Sequence, residues 1–233
     1  MASQEIKAFV AYLEIEFKNN ANPNIASEQK SYMKNQFEFY GIKAPERRKI
    51  QKPFFANEYL PPKENSAKII KLLWDKPQRE YQYFAQEFAF KYLKELENKD
   101  IELFEFLVLH KSWWDTVDFI AVNLIGYYFK KFPEQRTTYV RKWIESENIW
   151  LQRSALLFQL KYKEKLDTEI LKFTIESLLG SKEFFINKAI GWILREYGKT
   201  NPQWVQEYVN ELPLANLSKR EALKILNKRS SHN

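Results

Sequence analysis

The sequence contains no cysteine and only two histidines, His110 and His232. Disulfide scaffolds and Cys/His zinc sites are excluded, because neither ligand set can be assembled. Glycine is scarce, 5 in 233 residues, so phosphate-cradling Gly-rich loops and Gly-containing hairpin turns have little material. Walker and Rossmann motifs and long β-hairpin architectures fall with it. No stretch approaches the ~18 to 20 uninterrupted apolar residues of a membrane span, and the N-terminal segment carries acids inside its apolar pattern, unlike a secretory signal. A cytoplasmic protein is expected, with no metal, no cofactor and no membrane partner. Any catalysis must use carboxylates, amines, hydroxyls or aromatics.

The chain is 45% hydrophobic and 16% aromatic, enough apolar material for one substantial core. With no break in composition, a single domain is expected over 1–233, with N-terminal helices in 1–60 and helical pairs in 63–228. Thirty-seven Lys and Arg stand against 30 Asp and Glu, a net charge of +7 and a pI near 9.2. That excess favours an anionic partner without identifying it.

Apolar residues recur at helical spacing almost throughout, so an all-α fold of about twelve or thirteen helices is predicted. The first runs from about Ser3 to Asn19 and stops before Pro23; the second covers about Ala26 to Phe39 and ends at Gly41. Pro45 suits the first turn of the next helix, and Pro61-Pro62 closes that segment. Further helices are read near 63–74, 77–95, 99–110, 112–131, 133–146, 148–163, 167–180, 182–199, 202–212 and 218–228.

Ala121, Ala155 and Ala189 lie 34 residues apart, each within an apolar helix followed by a polar turn and a second amphipathic helix. Such a period marks an α-solenoid, in which each helical pair buries its apolar face on its neighbours. The consensus patterns of TPR and ankyrin repeats are missing, which leaves a degenerate HEAT-like array. A curved stack of that kind would present a concave basic surface to a rod-like polyanion.

The segment His110 to Asp118 is the most unusual. On a helix starting at Ser112, Trp113, Val117, Ile120, Ala121 and Leu124 form one apolar stripe, so Trp113 is expected in the core. Trp114 and Asp118 are also four apart and share a face rotated by about 100° from that stripe. An indole and a carboxylate on one semi-exposed face have an ordinary reading, a surface Trp beside a solvated Asp. One repeat on, Asn148 or the acid before it caps a helix that carries Trp150, expected to pack inward, and Arg153. An Arg there either pairs with an acid or offers its donors to phosphate. Another repeat on, Trp192 adjoins Gly191, a mid-helix glycine that costs roughly 1 kcal/mol relative to Ala unless a close approach requires it. Basic residues recur through these helices, Arg47, Arg48, Lys161, Lys188 and Arg195 among them. Each alone is a solvated charge, but in register they would form a stripe along a phosphate backbone. A Ser-His-Asp arrangement around His110 is not supported.

The segments Lys111 to Asp118, Asn148 to Arg153 and Lys182 to Tyr197, together with Tyr32 to Asn35 and Pro45 to Arg48, resemble the AlkD family of HEAT-like repeat DNA glycosylases over almost the whole chain. The resemblance implies a monofunctional enzyme that excises cationic N3- and N7-alkylated purines such as 3-methyladenine and 7-methylguanine from double-stranded DNA; a single chain, nucleoid-associated in the cytoplasm, is expected as the working unit. By motif it assigns Asp118, Trp114 and Trp192 to catalysis, Arg153 to DNA binding, and Tyr32 to contact with the damaged duplex. It also implies that the damaged base stays stacked. The competing readings are a non-catalytic scaffold that binds nucleic acid or an acidic protein, and a glycosylase that flips its target into a pocket.

Overall fold

In the computed structural model, residues 3–230 are described; His232 lies outside them. The described residues are helical apart from turns and one isolated bridge between Glu38 and Gln78. The chain divides into two compact units between Glu97 and Asn98, where the sequence reading placed one domain with its internal boundary near residue 60.

The first unit contains α1 (Ser3–Asn19), α2 (Pro23–Tyr32), α3 (Ala44–Gln51), α4 (Lys63–Trp74) and α5 (Arg79–Phe90), with 3-10 turns at Pro53–Phe55 and Leu93–Glu95. The expected second helix is displaced. Asn22 caps α2 by accepting from the Asn24 and Ile25 amides, and Pro23 occupies its first turn, a start signal present in the sequence. The helix ends at Tyr32 because Lys34 and Asn35 take left-handed backbone, φ 55° and 58°. The chain then runs to Tyr40, Gly41 and Ile42, whose three amide N–H groups all donate to the buried carboxylate of Glu80 on α5. Gly41 is needed there: at φ +86° an added Cβ would lie 2.0 Å from the Asn22 carbonyl oxygen. Phe17, Tyr81, Phe84 and Phe88 fill the core beside it.

The second unit contains α6 (Asp100–Leu109), α7 (Trp114–Phe119), α8 (Gly126–Lys131), α9 (Arg136–Glu145), α10 (Ile149–Leu157), α11 (Thr168–Ser177), α12 (Phe184–Tyr197), α13 (Pro202–Glu211) and α14 (Asn216–Ser230). α7 and α8 are one continuous rod joined by a π-helical stretch at Ile120–Ile125. A π-turn inserts one extra residue into the helical register. Its consequence is that Trp114, Asp118, Asn123 and Tyr127 all stay at least partly exposed, while Ile120, Ala121, Leu124 and Ile125 are buried.

Ala121, Ala155 and Ala189 are all buried, and α10 packs against both the α7 rod and α12. Contacts advance together along the two partners, from Asp118–Arg153 through Asn123–Lys161 to Gly126–Tyr162. The α10 segment therefore runs parallel to the rod, the arrangement that a repeated helical pair produces. Gly191 owes its place to α14: a Cβ there would lie 2.5 Å from the Glu221 Cβ and 2.9 Å from the Ser218 carbonyl oxygen.

Gly191→Ala should gain about 1 kcal/mol of helix propensity and lose about 3 kcal/mol to overpacking. The melting midpoint is then expected to fall by roughly 4–8 °C for a chain of this size. An unchanged midpoint in a thermal melt would refute the close α12–α14 approach.

Candidate functional site

The site grows from one carboxylate. α6 ends at Leu109; Ser112 Oγ donates to the Val108 carbonyl oxygen and Lys111 adopts φ 50°. This turn makes Trp113 an extended N-cap residue of α7 instead of a member of its apolar stripe. α7 begins at Trp114, and one turn later Asp118 shares its face, as the spacing predicts.

Asp118 does not stand in solvent. Arg153 of α10 grips it with two hydrogen bonds, Nε to Oδ1 at 2.7 Å and Nη2 to Oδ2 at 2.9 Å, and Arg153 Nη1 donates to the Phe185 carbonyl oxygen at the start of α12. Three stacked helices thus meet at one ion pair. The Arg153 side chain is 4% exposed and that of Asp118 15%. The expectation of a phosphate-facing Arg153 is corrected by this geometry, since its guanidinium is enclosed and directed at the carboxylate and a backbone carbonyl. Asn148 caps α10 through the Trp150 and Leu151 amides and thereby sets where Arg153 falls.

Burial pushes the Asp118 carboxyl above its ordinary value; the hydrogen bonds and charge of Arg153 pull it down, and the nearby Asp115 charge pushes it up. Burial and ion pairing compete directly, as expected where a charge leaves water. A carboxylate offers about four lone-pair directions, and a bidentate Arg takes only one edge. The small exposed remainder is the part available to another molecule.

An aromatic cluster adjoins the pair on the Arg153 side. Trp113 meets Phe185 at 5.3 Å and Trp150 at 5.8 Å between centroids, Trp150 meets Phe185 at 5.0 Å, and Arg153 Cζ lies 5.9 Å from the Phe185 ring. Trp113 and Trp150, expected in the core, are instead half-buried in this cluster, and the Trp113 indole nitrogen is buried without a hydrogen-bond partner. Phe185 escaped the sequence reading. Its signal was its position two helical turns before Trp192, which places both rings on one face of α12.

Trp192 is half-buried. Lys188 and Arg195 stand on either side of it along α12, and both pair with Glu221 of α14, at 2.9 and 2.7 Å. Lys188 is the larger cause holding the Glu221 carboxyl below its usual range. Lys161 is exposed and donates to Asn123 Oδ1 at 2.8 Å.

The first unit holds the remaining expected residues. Tyr32 is 67% exposed at the end of α2. Arg48 is exposed, whereas Arg47 is buried, donates to Glu87 Oε1 at 3.0 Å and lies 4.7 Å from the Tyr83 ring centroid. The reading of Arg47 as a phosphate contact is corrected: the α3 helix turns it inward to neutralise Glu87. His110 binds the Phe106 carbonyl oxygen and stacks on that ring. No group of three or more His, Cys, Asp or Glu able to hold a metal ion occurs among the described residues, and no helix among them is long and apolar enough to cross a membrane.

The family model described as DNA alkylation repair enzyme matches residues 13–226. A solved structure of a predicted DNA alkylation repair enzyme from Enterococcus faecalis is 39% identical, covers 89% of this chain and 97% of its own, and superposes with a TM-score of 0.83. No curated protein matches.

Arg153→Ala should destabilise the fold by about 3–5 kcal/mol by stranding a buried charge, and Asp118→Asn in the same background should recover part of the loss. The Asp118 carboxyl, already raised, would rise further without Arg153. A raised folded-state value favours the fold below the unfolded value of about 3.9 and loses that contribution as pH climbs through the folded one. The deficit of Arg153→Ala is therefore expected to shrink at low pH in denaturant titrations; a pH-independent deficit would count against the pairing.

Proposed function

The chain belongs to the DNA alkylation repair enzyme family, and from that premise we propose that it is a monofunctional DNA glycosylase. It hydrolyses the N-glycosidic bond of cationic N3- and N7-alkylated purines, chiefly 3-methyladenine and 7-methylguanine, in double-stranded DNA. The observation that carries this reading is Asp118: a carboxylate paired with Arg153, largely buried but still partly exposed, on the helix face that it shares with Trp114.

Alkylation at N3 or N7 gives the purine a positive charge. As the C1′–N bond breaks, its electron pair passes to the base, which leaves neutral, and positive charge develops on the deoxyribose. No general acid is required for such a leaving group. The enzyme's task is to stabilise the sugar cation and to deliver water to C1′, whose proton passes through Asp118 to solvent. Asp118 does both, and Arg153 positions it. The faces of Trp114 and Trp192 attract the same charge, each by about 0.5 to 2 kcal/mol.

Because stabilisation is directed at the sugar, the base need not leave the stack, and we infer that excision proceeds without base flipping. Tyr32, Arg48, Lys161, Lys188 and Arg195 would hold the duplex, with a single chain as the working unit at the DNA. This role gives Asp118 a function, which a non-catalytic scaffold does not.

Asp118→Asn keeps the side-chain shape and removes the negative charge. Release of 7-methylguanine from methylated duplex DNA should fall by about 100-fold or more, with duplex affinity retained. Equal release by the variant and the parent protein would overturn the mechanism. Trp192→Ala is expected to slow single-turnover excision more than it weakens binding; parallel losses in both would reduce Trp192 to a binding or packing residue.

A further inference from the structure

The far end of the α7–α8 rod carries three cations to which the reading above gives no role, Lys130, Arg136 and Lys165, gathered beside Lys161. Tyr162, just beyond α10, is buried and donates its hydroxyl to the Gly126 carbonyl oxygen at 2.6 Å. Lys130 Nζ lies 4.6 Å and Arg136 Cζ 5.6 Å from the centroid of that one ring. Lys161 and Lys165 belong to the same tight turn, in which Lys163 takes φ 52° and the Lys165 amide closes onto the Tyr162 carbonyl oxygen. Lys130, Lys161 and Lys165 are exposed and Arg136 is half-buried. Among the described residues, none of the four is engaged in an ion pair.

The four repel one another. Burial first, then the charges of Lys165, Arg136 and Lys161, push the Lys130 ammonium below its ordinary value. Elsewhere in this unit, buried or crowded cations have carboxylates: Arg153 has Asp118, and Lys188 and Arg195 share Glu221. Here like charges gather beside one fixed aromatic ring, where an external anion would relieve their repulsion.

We propose that Lys130, Arg136, Lys161 and Lys165 form a second anchoring site for duplex DNA, gripping its phosphate backbone away from the damaged nucleotide. The inference rests on the DNA reading of the Asp118 site and extends it. Its connection to that site is direct, because Lys161 is bonded to Asn123, which follows Asp118 on the partly exposed face of the same rod. Twelve residues separate Asp118 from Lys130, about 18 Å at 1.5 Å per residue, or about five phosphates at 3.4 Å along one strand. Arg136 is further fixed by its Nε–H, which donates to the Phe129 carbonyl oxygen at 2.8 Å. The cluster is therefore a preformed anion contact that tethers the duplex without reading its sequence.

The test measures binding of an undamaged fluorescent duplex at graded salt by the full chain, by a Lys130→Gln/Lys161→Gln/Lys165→Gln variant, and by a charge-matched Lys7→Gln/Lys68→Gln/Lys172→Gln variant. Each phosphate contact contributes about 0.9 to the slope of log affinity against log salt. The cluster variant should lose about two to three from that slope, the matched variant far less, and the melting midpoint of the free cluster variant should be equal or higher because repulsion is relieved. The Lys130→Gln/Lys165→Gln double variant, expected to lose about two, repeats the test with the Lys161–Asn123 hydrogen bond intact. Equal slopes for the parent and cluster variants, or equal losses in both triple variants, would overturn the site. Duplex binding with a slope that depends on the cluster but no release of 7-methylguanine would support the anchor while rejecting the glycosylase reading. A parent chain that binds no duplex at all would reject both.

Discussion

The arrangement of the second unit depends on the ion pair between Asp118 and Arg153. Taking two charges out of water costs several kcal/mol per ion, and only good geometry with further hydrogen bonds recovers that cost. Both oxygens of Asp118 and three nitrogens of Arg153 are engaged, the third with a backbone carbonyl of the next helix. The pair therefore fixes the mutual register of α7, α10 and α12. It also bears on what the site can do, because the same guanidinium that orients the carboxylate opposes the rise that burial imposes on its carboxyl.

Small departures from regular helix geometry place the pair at a surface. A straight α-helix through Trp114 and Asp118 would next present Val122, which is buried. The π-turn passes that position to Asn123 and so extends a polar face toward Tyr127 and Lys130. On the opposite partner, Gly191 lets α14 approach α12 closely enough for Glu221 to meet Lys188 and Arg195 together. Trp192 is thus flanked by two cations whose positions are held from a neighbouring helix. Local register and a missing side chain, both minor in energy, determine which groups face outward.

The first unit solves a different problem with the same means. Its turn from Tyr40 to Ile42 has three amide groups that no helix satisfies, and the buried Glu80 carboxylate accepts from all of them. Burial pushes that carboxyl up while the amide donors oppose the shift. Arg47 and Glu87 neutralise each other nearby. Glu80, Arg47 and Glu87 thus serve the interior, and Tyr32 and Arg48 remain outside.

Much of the protein is legible in its residues because helical periodicity and its punctuation are local. Ser3–Asn19 and Lys63–Trp74 were readable from apolar spacing and flanking breakers, the 34-residue recurrence of buried alanines marked the stacked helices, and i, i+4 spacing placed Trp114 and Asp118 on one face. The early end of α2 and the removal of Trp113 from its helix were not legible, since both turn on left-handed backbone at Lys34, Asn35 and Lys111, positions that glycine would have announced. Nor could the residues show that Arg47 and Arg153 point inward. An arginine binds phosphate or a buried carboxylate with the same fork of donors, and Glu87 and Asp118 lie 40 and 35 positions away in the chain. Local spacing determined the helices and the faces they offer; which charges meet across those faces was decided only when the stacked helices removed them from water.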